Sequence, residues 1–83
     1  MVEIIDVPHN MLDNWLYYET GFEQYHAKVE VIDWMTSLGY NYGTDYRVIR
    51  YTWDDHAFGK GQRYAIEFPN SEIAALFITR WAQ

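Results

Sequence analysis

Aromatic side chains make up an unusual share of this 83-residue chain: four Trp, eight Tyr and four Phe, or 19% of the residues. A chain this short forms one domain, which buries only about 60–65% of its extended-chain surface. One core cannot enclose sixteen aromatic rings together with the aliphatic side chains, so several rings are expected at the surface. Because the cores of protein interfaces are enriched in Trp and Tyr, this surplus indicates a protein-binding surface.

The absence of cysteine excludes several other classes of protein. Without cysteine there is no disulfide framework, thiolate zinc site, iron–sulfur cluster or thiol nucleophile. No apolar run approaches the roughly 20 residues that span a bilayer, and the N-terminus lacks the pattern of a signal peptide. We therefore expect a cytoplasmic protein that does not bind a membrane and forms a single domain over residues 1–83.

The apolar pattern predicts an α+β domain in the order β-α-α-β-β-α. The predicted elements are a strand over 2–7, helices over about 10–19 and about 21–38, strands over 46–53 and 63–68, and a helix beginning near residue 70. Gly39 is a natural stop for the long helix, and Asn70 or Ser71 is a natural N-cap for the last one. A small antiparallel sheet of about three strands, with the helices on one face, would bury the apolar side of every element.

Charge is divided unevenly along the chain, whose net charge is −6. Residues 1–45 carry eight acidic residues and one basic residue, a net of −7, whereas residues 46–83 carry four acidic and five basic residues, a net of +1. Contacts with phosphate need Lys and Arg, so we expect no direct binding to nucleic acid. The acidic half either keeps the protein soluble or meets a partner with a basic surface.

The long predicted helix concentrates this charge on one side. At 100° per residue, a helix continued back to residue 19 places four carboxylates within about 40° of one line. Together with neighbouring aromatic residues they form the predicted partner-binding surface, which consists of Glu19, Glu23, Glu30, Asp33, Tyr17, Tyr18 and Trp34. The row of carboxylates could also imitate a nucleic-acid backbone, or it could serve solubility alone.

One segment is a candidate for catalysis or metal binding. Asp54, Asp55 and His56 lie together at the tip of the predicted hairpin, and two carboxylates with an imidazole could hold a hard metal or perform acid–base chemistry. Adjacent side chains of a strand point apart, however, and a hairpin tip has no pocket that excludes water. We therefore expect a protein without enzymatic activity, with no catalytic residue, cofactor or metal.

The C-terminal segment has a recognisable pattern, which consists of Tyr64-Ala65-Ile66-Glu67-Phe68-Pro69-Asn70, then Ile73, Ala74, Leu76-Phe77-Ile78 and Arg80-Trp81. These residues are expected to form a strand, a turn and a helix ending in Phe-x-x-Arg-Trp. The pattern resembles one found in small accessory proteins of tailed phages, and the resemblance covers about 20 of the 83 residues. It implies a phage-encoded protein in the host cytoplasm that inhibits or redirects a host protein, and it implies no catalytic residue.

Charge, aromatic content and resemblance together predict a small acidic protein-binding module that inhibits or modulates a host or partner protein. The alternative is a self-assembling structural or virion-associated protein. In that case the acidic half of one copy would meet the Arg-bearing hairpin of another, either head to tail or as a homodimer.

Overall fold

The computed structural model describes residues 2–57 and 59–82, except for the side chain of Asp55. A single 3-10 turn (His9–Met11) precedes the first helix. The strands and helices are β1 (Glu3–Asp6), α1 (Leu12–Trp15), β2 (Leu16–Glu19), β3 (Gln24–Ala27), α2 (Val29–Ser37), β4 (Arg47–Asp55), β5 (Gly59–Phe68) and α3 (Ser71–Trp81). The predicted α+β class is confirmed.

The larger sheet is antiparallel and has three strands, as the sequence predicted, and the structure gives their order as β1-β5-β4. Ile66 of the central strand pairs with Ile5 on one side and with Val48 on the other. Since side chains of a strand alternate between its two faces, Tyr64, Ile66 and Phe68 point to the same side, and all three are buried. This face of the sheet forms one side of the hydrophobic core.

Helix α3 packs against this face of the sheet. The side-chain Oδ1 of Asn70 accepts a hydrogen bond from the Ile73 N–H at 2.9 Å, which caps the helix where the sequence predicted its start. From the buried side of the helix, the Phe77 ring reaches both Trp15 and Phe68, each at 5.0 Å between ring centroids. An aromatic cluster thus joins α1, β5 and α3.

The prediction of two helices between residues 10 and 38 is wrong over 16–27. This part of the chain is the hairpin of β2 and β3, so the order of elements is β-α-β-β-α-β-β-α. Leu16 pairs with Ala27, and Tyr18 pairs with Tyr25, so alternate residues face the core. Over so few residues the apolar spacing fits either period, and pairing across the hairpin decides in favour of strands.

Helix α2 is consequently shorter than expected and covers only Val29–Ser37. The backbone at Glu23, with φ of 51°, has the left-handed conformation that interrupts a helix and closes the turn of the hairpin. Gly39, with φ of 91°, lies just beyond the end of α2, in the role that the sequence predicted for it.

Tyr42 ties the hairpin to the larger sheet. Its hydroxyl oxygen accepts a hydrogen bond from the Ala27 N–H, at the end of β3, at 3.3 Å. Burial raises the pKa of Tyr42, and the backbone N–H groups of Ala27 and Val48 offset part of this rise because they stabilise the phenolate. The phenol therefore lies between the end of β3 and the beginning of β4.

Tyr46 stacks at a tilt against Tyr42, with 5.3 Å between ring centroids, and its side chain is only 2% exposed. Among the described residues its hydroxyl has no hydrogen-bond partner. A buried hydroxyl without a partner costs about 1–3 kcal/mol. We therefore expect Tyr46→Phe to raise the free energy of unfolding by about 1 kcal/mol, measured by urea denaturation.

The same substitution should change how stability depends on pH. Burial, aided by the nearby Tyr42, raises the pKa of Tyr46 from 10.0 to about 12. Between these values the unfolded chain loses the phenol proton while the folded chain keeps it, so stability falls as the pH rises through this window. Denaturation at about pH 8 and about pH 11 should show a smaller loss for Tyr46→Phe than for the wild type, and an equal loss would contradict this assignment.

Candidate functional site

The outer face of the β2–β3 hairpin carries polar and aromatic side chains. Tyr17 pairs with His26, and Glu19 pairs with Gln24, so these four residues share the face opposite the core. The His26 Nε2 lies 3.0 Å from the Glu19 Oε2, and the rings of Tyr17 and His26 are 5.8 Å apart. The imidazole therefore holds both the carboxylate and the phenol in place on this face.

Helix α2 begins directly beside this face. The Lys28 N–H donates a hydrogen bond to the Trp15 carbonyl at 2.9 Å, which extends the pairing of the hairpin to the first residue before the helix. A shallow depression of about 300 Å³ lies at this junction and is lined by Tyr17, Lys28, Val29 and Glu30. The hairpin and the helix thus contribute to one continuous surface.

We call this region the hairpin–helix surface and define it by Tyr17, Glu19, Val29 and Glu30. Tyr17 is 42% exposed and Val29 is 62% exposed, so an aromatic ring and a branched aliphatic side chain both face solvent. Asp33, which is also exposed, follows Glu30 by three residues and lies on the same side of α2. The surface therefore combines two exposed apolar side chains with three carboxylates, and the ammonium-bearing Lys28 lines the depression beside them.

The predicted binding residues are only partly brought together. Glu23 is exposed in the hairpin turn, away from the helix where it was expected. Tyr18 lies on the inner face of the hairpin, against the ring of Tyr25 at 5.3 Å. Trp34 packs edge-on against Phe77 and Trp81, at 6.2 and 6.3 Å between centroids, so it supports the core.

The four carboxylates that were predicted to lie along one helix accordingly form two separate groups. Glu19 and Glu23 belong to the hairpin, whereas Glu30 and Asp33 belong to α2. The hairpin interrupts the helix, so the spacing computed for a continuous helix does not apply to these four residues. Of the aromatic residues predicted for the site, Tyr17 alone lies on the hairpin–helix surface.

Two apolar residues within the helix predicted over about 21–38 are exposed in the structure. Phe22, in the hairpin turn, is 70% exposed, and Val29 at the start of α2 is 62% exposed. A turn signal, Thr20-Gly21, stands between two Tyr-containing runs and is typical of a hairpin with a short loop. A hairpin with its turn at Thr20-Gly21 has Phe22 at its tip, exposed to solvent.

The segment that the sequence singled out for catalysis or metal binding, residues 54–56, lies at the end of β4 and just beyond it. Asp54 and His56 are exposed, and the side chain of Asp55 lies outside the described part of the chain. Among the side chains that the structure describes, which leave out that of Asp55, no group of three or more His, Asp or Glu residues is arranged to hold a metal ion.

A second depression, of about 380 Å³, lies between the hairpin and the larger sheet. It is lined by Val7, His9, Leu12, Tyr25, Gln62, Arg63 and Tyr64. Its polar lining groups come from His9, Gln62, Arg63 and two tyrosines, and the Arg63 guanidinium lies 3.7 Å from the carboxylate of Asp6.

Comparison with known proteins finds no family model, no curated protein and no solved structure that matches this chain. Among the helices of the described residues, none has the length and apolar character needed to cross a bilayer.

Proposed function

We propose that this chain is a small acidic protein-binding module that inhibits or redirects a partner protein with a basic surface. The observation that supports the proposal is the composition of the hairpin–helix surface. Two substantially exposed side chains, Tyr17 and Val29, border one depression together with Lys28 and Glu30, and Glu19 lies on the same face of the hairpin as Tyr17. The partner belongs to the host if the chain is phage-encoded, as its C-terminal resemblance implies.

The two kinds of side chain would play different roles in binding. Removing Tyr17 and Val29 from water would supply affinity, since apolar burial contributes about 25 cal/mol per Å². The carboxylates around them would attract a basic partner and orient it during the encounter. A shallow depression encloses too little of a small ligand to bind it well, so a protein surface is the better fit.

A matched pair of charge reversals tests this proposal. Glu30 lies in the first turn of α2 and Glu72 lies in the first turn of α3, and both are exposed. Glu30→Lys and Glu72→Lys therefore change the net charge equally and carry a similar cost at a helix N-terminus. Only the first alters the hairpin–helix surface.

The experiment immobilises the wild type and both variants, exposes them to lysate of the source organism or its host, and quantifies the retained proteins by mass spectrometry. We expect one basic protein that the wild type and Glu72→Lys retain equally and that Glu30→Lys retains about tenfold less. Equal retention by the two variants would contradict the proposed surface. Release of the partner by duplex DNA would identify the surface as a nucleic-acid mimic.

A further inference from the structure

The long edge strand β4 offers a second interaction surface, separate from the hairpin–helix surface. It has nine residues and pairs with β5 on one side only. Backbone N–H and C=O groups of successive residues in a strand point to alternate sides, so one set of β4 groups points away from β5. An open edge of this kind is a template for pairing with another strand.

The hydrogen bonds of β5 show which groups of β4 point outward. The Val7 N–H donates to the Tyr64 carbonyl at 2.9 Å, so even-numbered residues of β5 bond to the β1 side and odd-numbered residues bond to β4. Their partners in β4 are also odd-numbered, because Arg47 pairs with Glu67. The outward groups of β4 therefore belong to Val48, Arg50, Thr52 and Asp54.

Three of these four residues leave the edge open. The Val48 N–H lies beside the Tyr42 hydroxyl, which covers the beginning of the strand. Arg50, Thr52 and Asp54 are exposed, and within the described residues their outward backbone groups make no hydrogen bond.

We propose that this edge pairs with β4 of a second copy of the chain, antiparallel, about a two-fold axis at Thr52. The strand is complementary to itself in this register. Arg50 of each copy lies directly across from Asp54 of the other, and Thr52 lies across from its counterpart in the other copy, so the hydrogen-bonded pairs are formed by residues whose backbone groups point outward. Two opposite-charge pairs are thus formed by one symmetric contact.

The opposite face of the same pairing brings aromatic residues together. Tyr51 of one copy lies across from Trp53 of the other, and this arrangement also occurs twice. The Trp53 indole is 46% exposed and lies over Gly61, where a Cβ atom would overlap it. Aromatic cross-strand pairs add to the stability of such a contact, and the two three-stranded sheets become one sheet of six strands.

Neighbouring registers lose the charge complementarity. A shift by one pair in one direction places Arg50 across from Thr52 and Asp54 across from Val48. A shift in the other direction places Thr52 across from Asp54 and Arg50 across from His56. The register centred on Thr52 is therefore the one in which both opposite charges are paired.

Charge exchange at these two positions tests the proposal. Sedimentation of the wild type at concentrations up to about 1 mM should show a particle of twice the 10.0 kDa chain mass. Arg50→Asp places carboxylates across from each other and Asp54→Arg places guanidinium groups across from each other. Each variant alone should dimerise about tenfold more weakly or worse.

Two further samples restore the complementarity. The double variant R50D/D54R should dimerise like the wild type, and an equimolar mixture of the two single variants should form a one-to-one heterodimer. Thr52→Pro removes one outward N–H without removing a bond to β5, so it should remain folded by circular dichroism and be monomeric. A wild type that stays monomeric, or single variants that dimerise like the wild type, would overturn the proposal. Glu30→Lys should leave the mass unchanged, which separates this test from that of the hairpin–helix surface.

Discussion

Replacing Phe77 by alanine should lower the free energy of unfolding by about 3–5 kcal/mol. The ring is 1% exposed and packs against Trp15, Phe68, Trp34 and Trp81, so its removal leaves a cavity where three helices and the larger sheet meet. A domain of 83 residues has a total stability of roughly 4–12 kcal/mol. The substitution would therefore remove a large part of that stability.

The neighbouring Leu76 provides the control. It lies on the same helix but is 54% exposed, so Leu76→Ala should change the free energy of unfolding by less than about 0.5 kcal/mol. Thermal unfolding followed by circular dichroism should place the midpoint of Phe77→Ala at least about 12 °C below that of the wild type. Equal midpoints for the two variants would show that the aromatic cluster does not hold the core together.

The C-terminal half of the fold could be predicted from sequence because local and long-range signals agree there. Alternation over 63–68 matches a central strand whose Tyr64, Ile66 and Phe68 face the core, and the Asn70 cap marks the helix that follows. In the first half these signals conflict. Residues 16–27 are rich in Tyr, and their apolar residues do not recur at a regular spacing. Leu16 pairs with Ala27 across the hairpin, and helical periodicity does not predict a contact between positions so far apart.

The candidate site shows the same division. The acidic and aromatic character of its residues could be predicted, since composition does not depend on the fold. Their arrangement could not be predicted, because successive side chains of a strand point to opposite faces. This places Tyr17 and Tyr18 on different faces of β2. Trp34 was predicted to contact a partner, but it lies within reach of two aromatic rings of α3 and packs there.

Tyr17→Ala should weaken binding of the partner by about thirtyfold while leaving the fold intact. Tyr residues at the centre of an interface are frequent hot spots, whose truncation costs about 2 kcal/mol or more. Tyr17 is 42% exposed on the outer face of the hairpin, beside the depression that it shares with Val29 and Glu30. Its removal takes away apolar contact area from the surface and little from the core.

Tyr18 is the matched control because it is the next residue, has the same side chain and is 46% exposed. It lies on the other face of β2, against Tyr25. Tyr18→Ala therefore removes a similar ring from the same strand but leaves the hairpin–helix surface unchanged. Folding of both variants can be compared by circular dichroism before binding is measured.

The most direct test of the central claim is the affinity of the partner, once captured, for the wild type, Tyr17→Ala and Tyr18→Ala, measured by isothermal titration calorimetry. The predicted result is a loss of about thirtyfold for Tyr17→Ala, with Tyr18→Ala within about twofold of the wild type. Equal losses for the two variants, or a loss confined to Tyr18→Ala, would contradict the assignment of binding to the hairpin–helix surface.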